Sequence, residues 1–198
     1  MSAKYGSNCV PFPSLISLFT SSCSEDTEQV GEYDNWQEKN DAAIAKWATN
    51  SSLRKIITFS KNASTSGTNN DYIYVEVLQE GSGTESPLYS DSVRVAYRGH
   101  YIPTESSPQG YVFDQSFTGD FSWATAGATT LVTSSFVDGF TTALMNMHVG
   151  DLWRVYIPYD LGYGNPSSKS SILDASNLVF EMALVDFWHP GDQHTVLR

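Results

Sequence analysis

Between residues 71 and 188 apolar and polar side chains alternate with a period of two, interrupted once by a longer period. The stretch DYIYVEVLQEGSG (71–83) alternates and then turns at Gly81 to Gly83. DSVRVAYRGHYI (91–102), LWRVYIPYD (152–160) and NLVFEMALVDFW (177–188) repeat the pattern with β-branched and aromatic residues, so four or five strands are expected. The interruption falls where Phe136, Val137, Phe140, Leu144 and Met147 share one helical face, with Gly150 placed to end the helix. Strands in series with a single helix between them predict an α+β fold, an antiparallel sheet with the helix across one face. Upstream, Trp36, Asn40, Ala43, Ile44 and Trp47 follow a helical spacing, with Asp34 as the expected N-cap and Gln37 three residues after it. TFSKNASTSGTNND (58–71) has no period and reads as a linker, which puts a domain boundary near residue 70.

Composition narrows the function classes. A chain of 198 residues with a formal charge of -11 carries no basic patch with which to neutralise phosphates, so nucleic acid is not an expected partner. No apolar run approaches the roughly 18 to 20 residues of a membrane-spanning helix. The two cysteines, Cys9 and Cys23, bracket CVPFPSLISLFTSSC, a short apolar stretch ending in small residues. That layout is similar to a signal-peptide core and cleavage site, and it resembles the lipobox of bacterial lipoproteins, in which the cysteine is acylated. The acidic SEDTEQ after Cys23 looks like the surface-export signal of Bacteroidetes lipoproteins. The alternative is an N-terminal tail with an ordinary cysteine. The expected organisation is a signal or lipobox-like segment (1–23), an acidic spacer with helix and linker (24–70), the main domain (71–190) and a C-terminal tail (191–198).

VFDQSFTGDFSW (112–123) raises the sharpest local question, because Asp114 sits in a run that otherwise reads as core. A carboxylate among aromatic rings is costly unless it finds a partner. Either it is a turn residue bonding nearby amides, or it belongs to a site. Five separated blocks decide which family to compare: VRVAYRGHYI, VFDQSF, FVDGFTTALMNMHVGD, IPYDLGYG and NLVFEMAL. In that order they resemble the FKBP-type peptidyl-prolyl cis-trans isomerases, over roughly residues 72 to 188. The resemblance implies an antiparallel twisted sheet wrapped around one short α-helix, preceded here by the N-terminal helix.

It also implies a site. Tyr97, Phe113, Asp114, Tyr163 and Phe180 match the catalytic pocket, with Asp114 accepting a hydrogen bond from the Tyr163 phenol. Phe121, Phe136, Val137, Phe140 and Ile172 match substrate-binding positions: Phe121 as a ligand-facing aromatic on the next strand, Phe140 where the family usually has a tryptophan floor, and Ile172 in the covering loop. Cys23 is the expected lipid attachment point. Read without the resemblance, the aromatics would be core. His100, His148, His189 and His194 have no metal-ligating spacing, and neither a metal nor a cofactor is expected. The implied activity is isomerisation of X–Pro bonds in envelope or surface proteins, by a monomer acting on proline-containing polypeptides. The alternatives are a low-turnover binding or chaperone module and a structural component of a surface lipoprotein assembly.

Overall fold

The structure is a computed structural model, and it describes residues 31–61 and 67–192. Cys23, the lipobox-like segment and most of the C-terminal tail lie outside the described residues. Among the described residues seven strands form one antiparallel sheet: β1 (Arg54–Ile57), β2 (Tyr72–Gln79), β3 (Ser92–His100), β4 (Val112–Gln115), β5 (Thr129–Val132), β6 (Leu152–Ile157) and β7 (Leu178–Trp188). Their order is β1-β2-β6-β7-β3-β4, and β5 pairs with the first half of β3 on the edge whose second half takes β4. The four alternating runs read from the sequence are β2, β3, β6 and β7. Strands β1, β4 and β5 are four residues each, too short for a period to stand out.

Alternation assigns the two faces. Val75, Val95, Val155, Ile157, Met182 and Leu184 point inward onto helix α2 (Asp138–Leu144), whose Phe140, Ala143 and Leu144 are buried against them. Helix α2 sits close to β6: a β-carbon at Gly139 would strike Ile157. The helix is shorter than its apolar spacing suggested. Phe136 and Val137 precede it in extended conformation, and Asn146 donates to the carbonyl of Thr142 at 2.8 Å, taking up one of the carbonyls that a helix end leaves unbonded.

Helix α1 (Trp36–Thr49) buries Trp36, Asn40, Ile44 and Trp47 against the same unit, consistent with their spacing. Asp34 does not cap it. The cap position is Asn35, in left-handed conformation with φ 52°, while the Asp34 carboxylate accepts from the Gly31 amide at 2.6 Å and closes the preceding turn. Nor does the chain divide near residue 70. The described residues, 31–61 and 67–192, belong to one compact unit, because α1 docks on the sheet and β1 pairs with β2 from Arg54↔Val75 to Ile57↔Tyr72. Trp47 packs its ring against Tyr156 at 5.1 Å and Tyr74 at 6.2 Å. Among the described residues no helix is long and apolar enough to cross a membrane.

Candidate active site

On the inner side of the sheet, beside the start of α2, lies a cavity of about 250 Å³. Its walls are Tyr97 from β3, Phe180 from β7, Phe136 and Val137 from just before α2, Phe140 within it, and Tyr163 from the loop after β6, with Asp114, Ser135 and Ser168 at the margins. Three of the rings enclose one another edge to face. Phe140 meets Phe180 at 4.9 Å and Tyr97 at 5.8 Å, both near perpendicular, and Tyr97 meets Phe180 at 6.1 Å. Phe136 stacks on Phe140 at 4.4 Å. Such contacts hold each ring in one orientation, which keeps the cavity open.

Backbone features put these rings in place. Gly99 stands opposite Phe180 in the β3–β7 pairing, and a β-carbon there would meet the rings of both Phe180 and Phe113. The absence of a side chain lets the two rings close over the strand. Thr141, buried in α2, donates from its hydroxyl to the carbonyl of Thr133 at 2.9 Å and from its amide to that of Val137 at 3.0 Å. It thereby fixes the turn that presents Phe136 and Val137.

The question raised by Asp114 has a geometric answer. The register between β3 and β4 runs Gly99↔Asp114 and then His100↔Val112, so Phe113 is the extra residue of a β-bulge. In a regular strand two successive side chains point to opposite faces; a bulge relaxes that rule. Here Phe113 packs against Phe180 at 5.6 Å and Tyr101 at 5.4 Å, while Asp114 also reaches the cavity. Asp114 is exposed at the rim rather than enclosed by rings, and its phenol partner is Tyr97, which donates at 3.2 Å, not Tyr163. The reason is that Asp114 and Tyr97 lie on paired strands, whereas Tyr163 comes from a separate loop. Burial, followed by the Asp114 charge and the hydrogen bond to it, pushes the Tyr97 phenol up to about 12. The hydroxyl is therefore a standing donor at neutral pH.

Seven of the ten pocket positions carried over from the sequence line the cavity; Phe113, Phe121 and Ile172 do not. Phe113 supports Phe180 from outside it. Phe121 is not on a strand: it lies in the loop between β4 and β5 and packs with Phe117 at 5.4 Å and Trp123 at 4.9 Å, in a small cluster with Ala96 and Ala183 on the other face of the sheet. Ile172 is 5% exposed and belongs to the main core. Ser135 and Ser168 line the cavity although sequence reasoning passed over them, and in a loop reading NPSSKSS no signal distinguishes one serine from the next. Among the described residues no group of His, Cys, Asp or Glu is arranged to hold a metal.

A family model described as FKBP-type peptidyl-prolyl cis-trans isomerase matches residues 83–185, just over half of the chain. The chain belongs to the FKBP-type family. The match takes in β3 to most of β7 and every residue of the cavity wall, and leaves α1, β1 and β2 outside it. Among curated relatives, the macrophage infectivity potentiator of Trypanosoma cruzi is 32% identical over 118 residues, 60% of this chain and 54% of that protein. The peptidyl-prolyl cis-trans isomerase Mip of Coxiella burnetii is 30% identical over 132 residues, 67% of this chain and 52% of that protein. The chain thus spans about half the length of these curated relatives. Among solved structures, FkpA from Escherichia coli superimposes with a TM-score of 0.57 at 26% identity, covering 79% of this chain and 60% of the other.

Proposed function

We propose that this protein is a peptidyl-prolyl cis-trans isomerase that takes the proline of an extended polypeptide into the aromatic cavity. The observation that carries the reading is the enclosure of about 250 Å³ by Tyr97, Phe136, Val137, Phe140, Tyr163 and Phe180. Rotation about an X–Pro bond faces a barrier of about 18–20 kcal/mol, set by the partial double-bond character of C–N. That character comes from a charge-separated resonance form, which an apolar cavity supports less well than water. The twisted amide, with its charge separation diminished, gains relative to the planar one, and each 1.4 kcal/mol or so of differential binding gives about tenfold in rate. No nucleophile or proton transfer is needed.

Polar groups then have the task of orientation. The Val137 amide stands at the N-terminal end of α2, where N–H groups lack an intrahelical acceptor, and it is suited to donate to a substrate carbonyl. The Tyr163 hydroxyl serves as a second donor. Tyr97 and Asp114, bonded to each other, frame the rim.

One feature favours a second reading, a binding module with low turnover. The floor is Phe140, stacked on Phe136 and offering no ring N–H to the ligand. A prolyl isomerisation assay on X–Pro peptides with the native chain and with Phe140→Trp separates the two. We expect the native chain to accelerate exchange; silence from it, with activity gained in Phe140→Trp, would transfer the assignment to the binding module.

The site of action is proposed from the N-terminal sequence. The apolar run ending at Cys23, followed by acidic residues, supports an acylated cysteine and an envelope location, with clients among envelope or surface proteins. A relative in Legionella longbeachae bears the name outer membrane protein MIP. Incorporation of radiolabelled palmitate in the host, abolished by Cys23→Ser, is the expected result; an unlabelled native protein would remove the anchor.

A further inference from the structure

Helix α1 lies outside the segment matched to the family, yet it is bonded to the loop that supplies one wall of the cavity. Asn40, wholly buried, accepts from the backbone N–H of Asn177 on its Oδ1 at 2.8 Å, and its backbone carbonyl accepts from the Asn177 side-chain amide at 2.7 Å. Asn177, also wholly buried, accepts on Oδ1 from the backbone N–H of Tyr159 at 3.0 Å. The carbonyl of Tyr159 in turn accepts from the amides of Gly162 at 3.0 Å and Gly164 at 2.9 Å, the two residues that flank Tyr163. The same helix holds the loop at further points: Trp36 donates from its indole to Ser176 at 2.7 Å, and Tyr159 donates from its hydroxyl to Asp41 at 3.0 Å.

We propose that α1 is a buttress for the loop between β6 and β7, and that Asn40 is a positioning residue which sets Tyr163 in the cavity wall through Asn177 and Tyr159. Apolar packing by Trp36, Ile44 and Trp47 is enough to hold a helix on a sheet; it does not need a buried, fully bonded asparagine pair. Directional bonds in a dry interior are specific about orientation, which a loop carrying a substrate-facing phenol requires. The inference rests on the isomerase reading of the pocket.

The test uses the full chain, four single variants and the Asn40→Ala/Tyr163→Phe double variant. Asn40→Ala leaves the Asn177 N–H without its acceptor. Asp41→Ala, at an exposed position, removes only the bond to the Tyr159 hydroxyl. Ile44→Ala loosens the helix packing without touching the network and controls for lost stability. Tyr163→Phe removes the phenol that the network is held to position. Well below the melting temperature, kcat/KM on X–Pro peptides is expected to fall about three- to tenfold in Asn40→Ala, less in Asp41→Ala, and to stay near native in Ile44→Ala. In a Tyr163→Phe background the loss from Asn40→Ala should shrink. An undiminished loss there, or an equal loss in Ile44→Ala, would overturn the positioning role. Hydrogen exchange at the Gly162 and Gly164 amides gives a readout independent of activity: acceleration of at least about tenfold in Asn40→Ala but not in Ile44→Ala is expected. Unchanged exchange at both amides would sink the buttress whatever the kinetics. A native chain without isomerase activity would overturn the reading of the pocket instead, and the exchange data would still decide whether α1 holds the loop.

Discussion

Tyr97 and Arg98 are neighbours on β3, and Phe180 and Glu181 are neighbours on β7, but the first of each pair lines the 250 Å³ cavity while the second faces the opposite side of the sheet. On that side the register aligns Glu76, Arg154, Glu181 and Arg98 across four adjacent strands, β2, β6, β7 and β3. The resulting ladder bonds at 3.0, 3.2 and 2.7 Å, alternating in sign. A larger cleft of about 560 Å³ opens over this ladder, bounded also by Tyr156 and Val179. Size alone would rank the outer cleft higher. Its arginines, however, already bond to glutamates, whereas the inner cavity is walled by aromatic rings. Unpaired apolar surface can gain by binding an apolar ring, and paired charge has little left to offer.

Substitutions at neighbouring positions sharpen the contrast. The largest effect should come from Phe180→Ala, which removes a ring that touches Tyr97, Phe113 and Phe140. We expect a stability loss of about 3–5 kcal/mol and a fall in kcat/KM of about a hundredfold or more, measured by denaturation and by peptide assay. Activity close to native would mean that the cavity is not the site.

Gly99→Val comes next. Its side chain would push Phe180 and Phe113 apart, at a cost of about 1–3 kcal/mol for overpacking, and we expect a loss of activity of about tenfold that a thermal melt and the same assay detect together. Loss of stability with full activity would show that the rings need not be closely placed.

Smaller still is the rim bond. Asp114→Ala is expected to reduce kcat/KM only a few-fold, because Asp114 is exposed and water replaces most of what its hydrogen bond to Tyr97 supplies, while Asp114→Asn keeps an acceptor for Tyr97 and retains most activity. Because the Tyr97 phenol is raised to about 12, its proton is lost only at strongly alkaline pH, so the activity of the native domain should be flat from neutral into mildly alkaline solution. An alkaline limb close to the ordinary tyrosine value that disappears in Tyr97→Phe would contradict that environment.

The smallest effect belongs to the outer face. Burial alone would raise the Glu181 carboxyl, but its hydrogen bonds from Arg98 and Arg154 outweigh that and hold it below the ordinary glutamate value. A depressed folded-state value stabilises the fold above the unfolded value, near 4.5, and the contribution is lost as pH falls through the folded value. Glu181→Gln should therefore lower stability by of order 1 kcal/mol at neutral pH, flatten the acid side of the stability curve, and leave isomerisation unchanged. A loss of activity in Glu181→Gln would show that the two faces are coupled.

Much of this molecule is legible in its sequence. Alternation locates β2, β3, β6 and β7, and it places Tyr97 and Phe180 on one face and Arg98 and Glu181 on the other. The spacing of Trp36, Asn40, Ile44 and Trp47 identifies the buried side of α1. The ordered blocks lead to ten pocket positions, of which seven line the cavity; Phe113 stands behind Phe180, the segment holding Phe121 runs as a loop rather than a strand, and Ile172 comes from a loop, which has no period to hold a register.

What remained for the tertiary structure was decided by contacts distant in sequence. The partner of Asp114 depends on the register that sets Asp114 opposite Gly99, on the face of Tyr97, and the bulge that turns Phe113 to Phe180 beside it is likewise a property of how β3 and β4 pair that leaves no mark in either strand alone. The boundary near residue 70 dissolves because β1 finds β2 across a polar linker, and Asn40 finds Asn177 across 137 positions. Periodicity reports only which side of its own element a residue will bury. Which other element covers that side is fixed by the path of the whole chain, and in this protein the strand pairing that sets Asp114 beside Tyr97 and the helix that holds the Tyr163 loop both follow from that path.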